Sequence, residues 1–82
     1  MITGYTLARI LPTKDEEVYN KVKTYSEIKD VIVTYGEYDL LIKIETNSME
    51  ELDNFVFSKL RMIDGIAATT TLIEAKLKKG EF

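Results

Sequence analysis

The 82-residue chain contains no cysteine, histidine, tryptophan or glutamine, and only one proline. Without cysteine there is no disulfide, thiolate metal site or sulfur nucleophile. Without histidine the usual general base, the commonest metal ligand and the side chain that titrates near neutrality are all missing. No metal or cofactor is therefore expected. Basic charge is also short: 11 basic against 14 acidic side chains leave a net −3, which argues against direct nucleic-acid binding. No run approaches the roughly 18 apolar residues of a membrane span. The start, "MITGYTLARIL", has neither the basic region nor the cleavage site of a secretory signal. A cytoplasmic protein beginning at Met1 is the expectation. These absences, with Lys and Glu abundant, resemble thermophile usage.

What is present is ordinary for a soluble globular protein: 45% hydrophobic and 30% charged residues. A chain of this size makes one domain and buries only about 60% of its unfolded surface, so it gains from oligomerising. The domain is expected over residues 1–76, followed by a polar tail at 77–82. The basic cluster Lys76, Lys78 and Lys79 reads as solvated.

The pattern along the chain is β-α-β-β-α-β. A strand rich in Tyr, Leu and Ile runs from about Thr3 to Leu11 and stops at Pro12. Thr13-x-x-Glu16 then reads as a capping box opening a helix with Val18, Val22 and Tyr25 on one face. Strands follow at about Val31–Tyr35 and Tyr38–Thr46. Ser48-x-x-Glu51 is a second capping box, and its helix carries Met49, Leu52, Val56, Leu60 and Ile63 on one stripe. Gly65 is the expected helix stop, and a last strand spans about Ile66–Ala75. The two halves are in register: position 13 maps to 48 and position 31 to 66, the same offset of 35 residues. A duplicated βαβ of this kind is the split-βαβ, ferredoxin-like unit. The fold class is thus α+β, with both helices on one face of a four-stranded antiparallel sheet.

Alternation in the third strand sends Leu40, Ile42 and Ile44 toward the helices and Asp39, Leu41, Lys43 and Glu45 to the open face. Ile32 and Thr34 share the open face, and the repeat carries Thr34 onto Thr69, so Thr69, Thr71 and Ile73 are expected there too. Arg9, between Leu7 and Leu11, fits neither face neatly. An open face holding Ile32, Leu41 and Ile73 is too apolar to leave bare, and a homodimer joined through it is the economical solution.

The stretch "VTYGEYDLL" reads as a hairpin, with Gly36-Glu37 as a two-residue turn and glycine supplying positive φ. Asp39 then stands in a strand, where aspartate is a poor fit. On pattern alone it is a solvent-facing residue beside a turn. Its neighbours support a second reading. A carboxylate, the hydroxyls of Thr34, Thr69 and Thr71, and free amides around Gly36 are the groups a zwitterion needs. Tyr35, Tyr38 or Leu40 could wall the pocket.

With these pieces in place, "VTYGEYDLLIKI" and "IDGIAATTTLI" resemble the Gly-x-x-Asp hairpin and the Thr-x-Thr segment of the effector-binding (RAM) domain of Lrp/AsnC transcription regulators. The resemblance covers essentially the whole chain. It implies dimers formed through the sheets, octameric or decameric rings, and an amino acid or similar small effector bound between dimers. Gly36 and Asp39 match the motif; Thr34, Thr69 and Thr71 match neighbouring polar positions, and Tyr38 matches more loosely. The family's full-length members carry a winged helix-turn-helix before this domain, for which this sequence has no residues. It resembles the stand-alone form, which would sense an amino acid directly or join full-length relatives. Two other readings are a structural ring partner without a ligand and a small ferredoxin-like enzyme. The enzyme would have only Asp39, Glu45 and the tyrosines to work with. An ACT-type amino-acid module would leave the ligand expectation unchanged.

Overall fold

The computed structural model describes residues 1–75; the lysine cluster and the expected tail lie outside them. Strand β1, Ile2–Ile10, alternates small or apolar residues with polar ones, and buries Gly4, Thr6, Ala8 and Ile10. Helix α1, Asp15–Val22, buries Val18 and Val22 and places Asp15, Glu16 and Glu17 in its first turn, where they complement the helix dipole. Strands β2, Ile28–Val33, and β3, Leu40–Thr46, follow. Helix α2, Met49–Phe55, continues as a π-helical turn over Val56–Leu60, and β4, Ile66–Ile73, closes the fold.

The sheet order is β2-β3-β1-β4 with every neighbouring pair antiparallel, as the split-βαβ reading requires. Both helices lie on one face: Val18, Val22, Leu52, Phe55 and Leu60 form one buried cluster with Ala8, Leu40, Ile42 and Ile44 of the sheet. Tyr25 packs edge-on against Phe55, ring centroids 5.5 Å apart. The π turn is marked by Arg61 N donating to Val56 O at 2.9 Å. It allows Phe55 and Val56 to be buried side by side, so Phe55 joins the expected stripe while Met49 stays on its rim.

Two local expectations change. The Thr13 capping box does not form: Thr13 has φ 72° and α1 begins after Lys14 with no side-chain cap. Lys14 N donates to Leu11 O at 3.1 Å, enclosing Pro12 and Thr13 in a tight turn. Proline at the second position and positive φ at the third is the type II pattern. The Ser48 cap does form, with Glu51 N donating to Ser48 Oγ at 3.2 Å and Asn47 N to Glu51 Oε2 at 2.9 Å. Gly65 is not the helix stop, because the helical segment ends at Leu60. Its φ of +104° serves the entry to β4, where an added Cβ would lie 2.8 Å from Val18 Cγ2.

The largest correction concerns β4. Arg9 pairs with Ala68 but Ile10 with Ile66, so a β-bulge leaves Ala67 unpaired. One extra residue flips every side chain beyond it to the opposite face. Thr69, Thr71 and Ile73 therefore point to the helix side, opposite Ala8, Thr6 and Gly4, and not to the open face. Thr70 and Leu72 take the open face instead, opposite Leu7 and Tyr5. Arg9 falls on that face with them, which resolves its position.

Candidate functional site

The β2–β3 hairpin is wider than a two-residue turn. Thr34 N donates to Asp39 O at 3.0 Å, leaving Tyr35 to Tyr38 as a four-residue loop. The wider loop is held by side chains: Thr34 Oγ1 donates to Tyr38 O at 2.6 Å, and Arg9 Nε to Glu37 O at 3.2 Å. Gly36 has φ +101° and no atom within 4 Å of an added Cβ, so glycine is needed there for its backbone and not for space.

Asp39 lies just before β3, pinned at three points. Its N–H donates to Ala8 O at 2.8 Å, its carbonyl accepts from Thr34, and its Oδ2 accepts from Ile10 N at 2.7 Å. That last amide follows the β4 bulge, so the carboxylate satisfies a donor that the sheet leaves over at the end of β1. Oδ1 takes no hydrogen bond from the described residues. The group is half-buried, fixed in direction, and has one oxygen to offer.

Two residues that the sequence did not single out as site residues complete the cluster. Arg9 Nη2 lies 3.2 Å from Glu37 Oε1, and its guanidinium sits 5.6 Å from the Tyr38 ring centroid. With both ion-pair side chains well exposed, the pair adds little stability. Its effect is to hold a cation against Glu37 and the Tyr38 ring of the hairpin loop. Tyr38 OH and Thr70 Oγ1 are 3.3 Å apart, tying the loop to β4. The misfit of Arg9 in the alternation was the only sequence signal for it; Thr70 could be found only by knowing the bulge.

Of the six expected site residues, the structure brings Thr34, Gly36, Tyr38 and Asp39 together. Thr69 and Thr71 are on the other side of the sheet. Thr71 Oγ1 is 2.8 Å from the Oγ1 of fully buried Thr6, and Thr69 and Thr71 line a groove of about 290 Å³ between α2 and β4. Within one subunit these two cannot meet Asp39 around a common ligand. A wider groove of about 550 Å³ lies at the opposite end, near Glu27, Glu45, Glu51, Lys29 and Lys59. Several of its charges are already engaged, as in Lys59 Nζ to Glu27 Oε2 at 3.2 Å and Asn47 N to Glu51. Among the described residues no cluster of acidic side chains could hold a metal ion.

Residues 6–80 match the model of the Lrp/AsnC ligand binding domain. The chain belongs to that family. It is 37% identical over 78 residues to the HTH-type transcriptional regulator FL11 of Pyrococcus furiosus, an alignment covering 95% of this chain and 51% of that one. The domain thus spans about half the length of the curated relatives it matches. Among solved structures, FFRP-DM1 superposes with a TM-score of 0.89 at 37% identity, covering 92% of this chain and all of that one. The transcriptional regulator NMB0573 of Neisseria meningitidis, solved as an L-Met complex, has a TM-score of 0.84 at 21% identity over 92% of this chain and 50% of that one. At that identity the likeness is one of fold. These relatives place the domain among regulatory ligand-binding domains of transcription regulators. No helix among the described residues is long and apolar enough to cross a membrane.

Proposed function

We propose that this domain binds an amino acid or a similar small zwitterion at the hairpin end, with Asp39 accepting from the ligand's ammonium. The observation that carries the reading is the fixed Asp39 carboxylate, one oxygen held by Ile10 N and the other without a donor among the described residues. A group already oriented costs little further ordering when a ligand arrives. Arg9 and the amides around Gly36 supply the complementary donors for the ligand's carboxylate, while the Thr34 hydroxyl, donating to Tyr38 O, holds the loop that presents them. Tyr38 forms a wall. The L-Met complex of a protein of the same fold agrees with this ligand class.

The domain works as a homodimer joined through the open face of its sheet. Ile32, Leu41 and Leu7 pair successively across three strands, with Tyr5 opposite Leu72 beside them, giving an apolar band that a second copy would cover. Dimers assemble into octamers or decamers, where Thr69 and Thr71 reach the ligand only from a neighbouring subunit. Through such assembly the domain reports effector level to full-length Lrp/AsnC regulators. The alternative, a ring partner without a ligand, draws on the same bond, since capping Ile10 N gives Asp39 a structural task.

Isothermal titration with each of the twenty amino acids, on the parent and on Asp39→Asn, separates the two. The variant keeps an acceptor for Ile10 N and removes the charge. Loss of an ion-ion contact at a partly buried site should weaken the best ligand by about 2–5 kcal/mol. Equal affinity in both proteins would remove Asp39 from the site, and no uptake by the parent would favour the ring partner.

A further inference from the structure

Among the described residues two polar side chains are buried, Thr6 and Thr46. Thr46 has a local reason: its hydroxyl donates to Ser48 O at 2.8 Å and steadies the entry to α2. Thr6 has no such backbone partner. It lies midway along the inner strand β1, fully buried, between Ile42 of β3 and Thr71 of β4. Valine would fill the same space without a hydroxyl to desolvate. The one partner of this hydroxyl among the described residues is Thr71 Oγ1, at 2.8 Å.

A hydroxyl carries one proton, and burial decides which way this bond runs. If Thr71 donated to Thr6, the Thr6 proton would be left in the core without an acceptor, at the full cost of its desolvation. If Thr6 donates, both groups are satisfied. Thr71 is only half-buried, so its own proton can turn into the α2–β4 groove that it lines. Accepting from Thr6 also polarises the Thr71 O–H and makes it a better donor.

We infer that Thr6 is a positioning residue for the effector: by donating to Thr71 it commits that hydroxyl to donate to a carboxylate oxygen of the ligand. This deepens the ligand reading and rests on it, since Thr71 must meet the effector. The groove lining holds one cation, Arg61, and one carboxylate, Asp53, so charge alone does not select which end of a zwitterion lies there. The direction of the Thr71 proton does. Thr6 touches no ligand and acts through Thr71 alone.

Titration with the twenty amino acids identifies the tightest ligand of the parent. That ligand is then titrated into Thr6→Val, Thr6→Ser, Thr71→Val and the Thr6→Val, Thr71→Val double variant. Thr6→Val should weaken it roughly three- to tenfold, the worth of one oriented hydrogen bond, and Thr6→Ser should stay within about twofold of the parent. In the Thr71→Val background Thr6→Val should change nothing, an outcome that a general effect on packing would not give. Equal losses in both backgrounds, or no loss with Thr71 intact, overturn the proposal. Proton NMR of the ligand-free parent reads the direction of the bond independently: the Thr6 hydroxyl proton should exchange slowly with water and the Thr71 proton fast. A protected proton on Thr71, or a fast one on Thr6, also overturns it. A parent that takes up no amino acid loses the ligand reading and this role together, and the protected Thr6 proton then belongs to the fold alone. A parent that binds normally with an indifferent Thr6→Val loses only the role of Thr6.

Discussion

Replacing Asp39 by alanine should destabilise the fold even in the absence of any ligand. Among the described residues the carboxylate is the acceptor for Ile10 N, at 2.7 Å. The neighbouring β4 ladder slips at this point, and Ile10 itself is only 8% exposed, so water reaches the orphaned amide poorly. A hydrogen bond to a charged group is worth about 1.5–3 kcal/mol net, and a buried donor left unpaired costs a similar amount. For a domain of this length each kcal/mol moves the melting temperature by about 4–8 °C, so a fall on the order of 10 °C is expected at fixed protein concentration. Asp39→Asn keeps an oxygen acceptor in the same place and should lose no more than about half as much. Thermal melts of the three proteins, with hydrogen exchange read at the Ile10 amide, test the argument. Two variants that melt together, or an alanine variant that melts with the parent, would refute the assignment of this bond as structural. The contrast with titration is the useful part: both variants lose the charge that the ligand needs, but only alanine loses the bond that the sheet needs.

The two positive-φ glycines should behave differently on substitution. Gly36→Ala meets no neighbour and should cost only the backbone term, about 1–2 kcal/mol in urea unfolding. Gly65→Ala adds contacts of 2.8 Å to Val18 and 2.9 Å to Lys14, so it should lose clearly more; equal losses would discount the close approach to α1. Glu27 bears on pH dependence. Burial pushes its pKa up, but a bond to its own backbone amide, the Lys59 ammonium and Ser26 outweigh this and hold it below the usual range. A lowered folded pKa gives stability that is present above the unfolded value, about 4.3, and lost as pH falls through the folded value. Glu27→Gln should therefore flatten the acid limb of a melting-temperature profile below about pH 4.5 and leave its alkaline side unchanged. A limb as steep as the parent's would mean that Glu27 does not contribute to it.

Much of the fold was legible because its signals are local. Period-two and helical spacing gave the element order, the Ser48 cap is written in four residues, and Gly36 beside Asp39 marked the hairpin. The repeat at an offset of 35 residues then fixed the split-βαβ topology. Thr34, Gly36, Tyr38 and Asp39 were found together for the same reason: a hairpin brings near neighbours in sequence into one place.

What the sequence could not show depends on atoms far apart along the chain. Thr13 reads as a helix cap until Leu11 is seen bonded to both Lys14 N and Gly65 O, which bends the chain into a turn there. The partner of Asp39 is an amide 29 positions away, and Arg9 and Thr70 enter the site across strands. The facing of Thr69 and Thr71 rested on the repeat that carries Thr34 onto Thr69, and one unpaired residue at Ala67 reversed it. A bulge leaves no mark in composition, because alanine and threonine suit either side of a strand. Only pairing with β1 decides where the extra residue goes, and that pairing alone determines which threonines can meet a ligand.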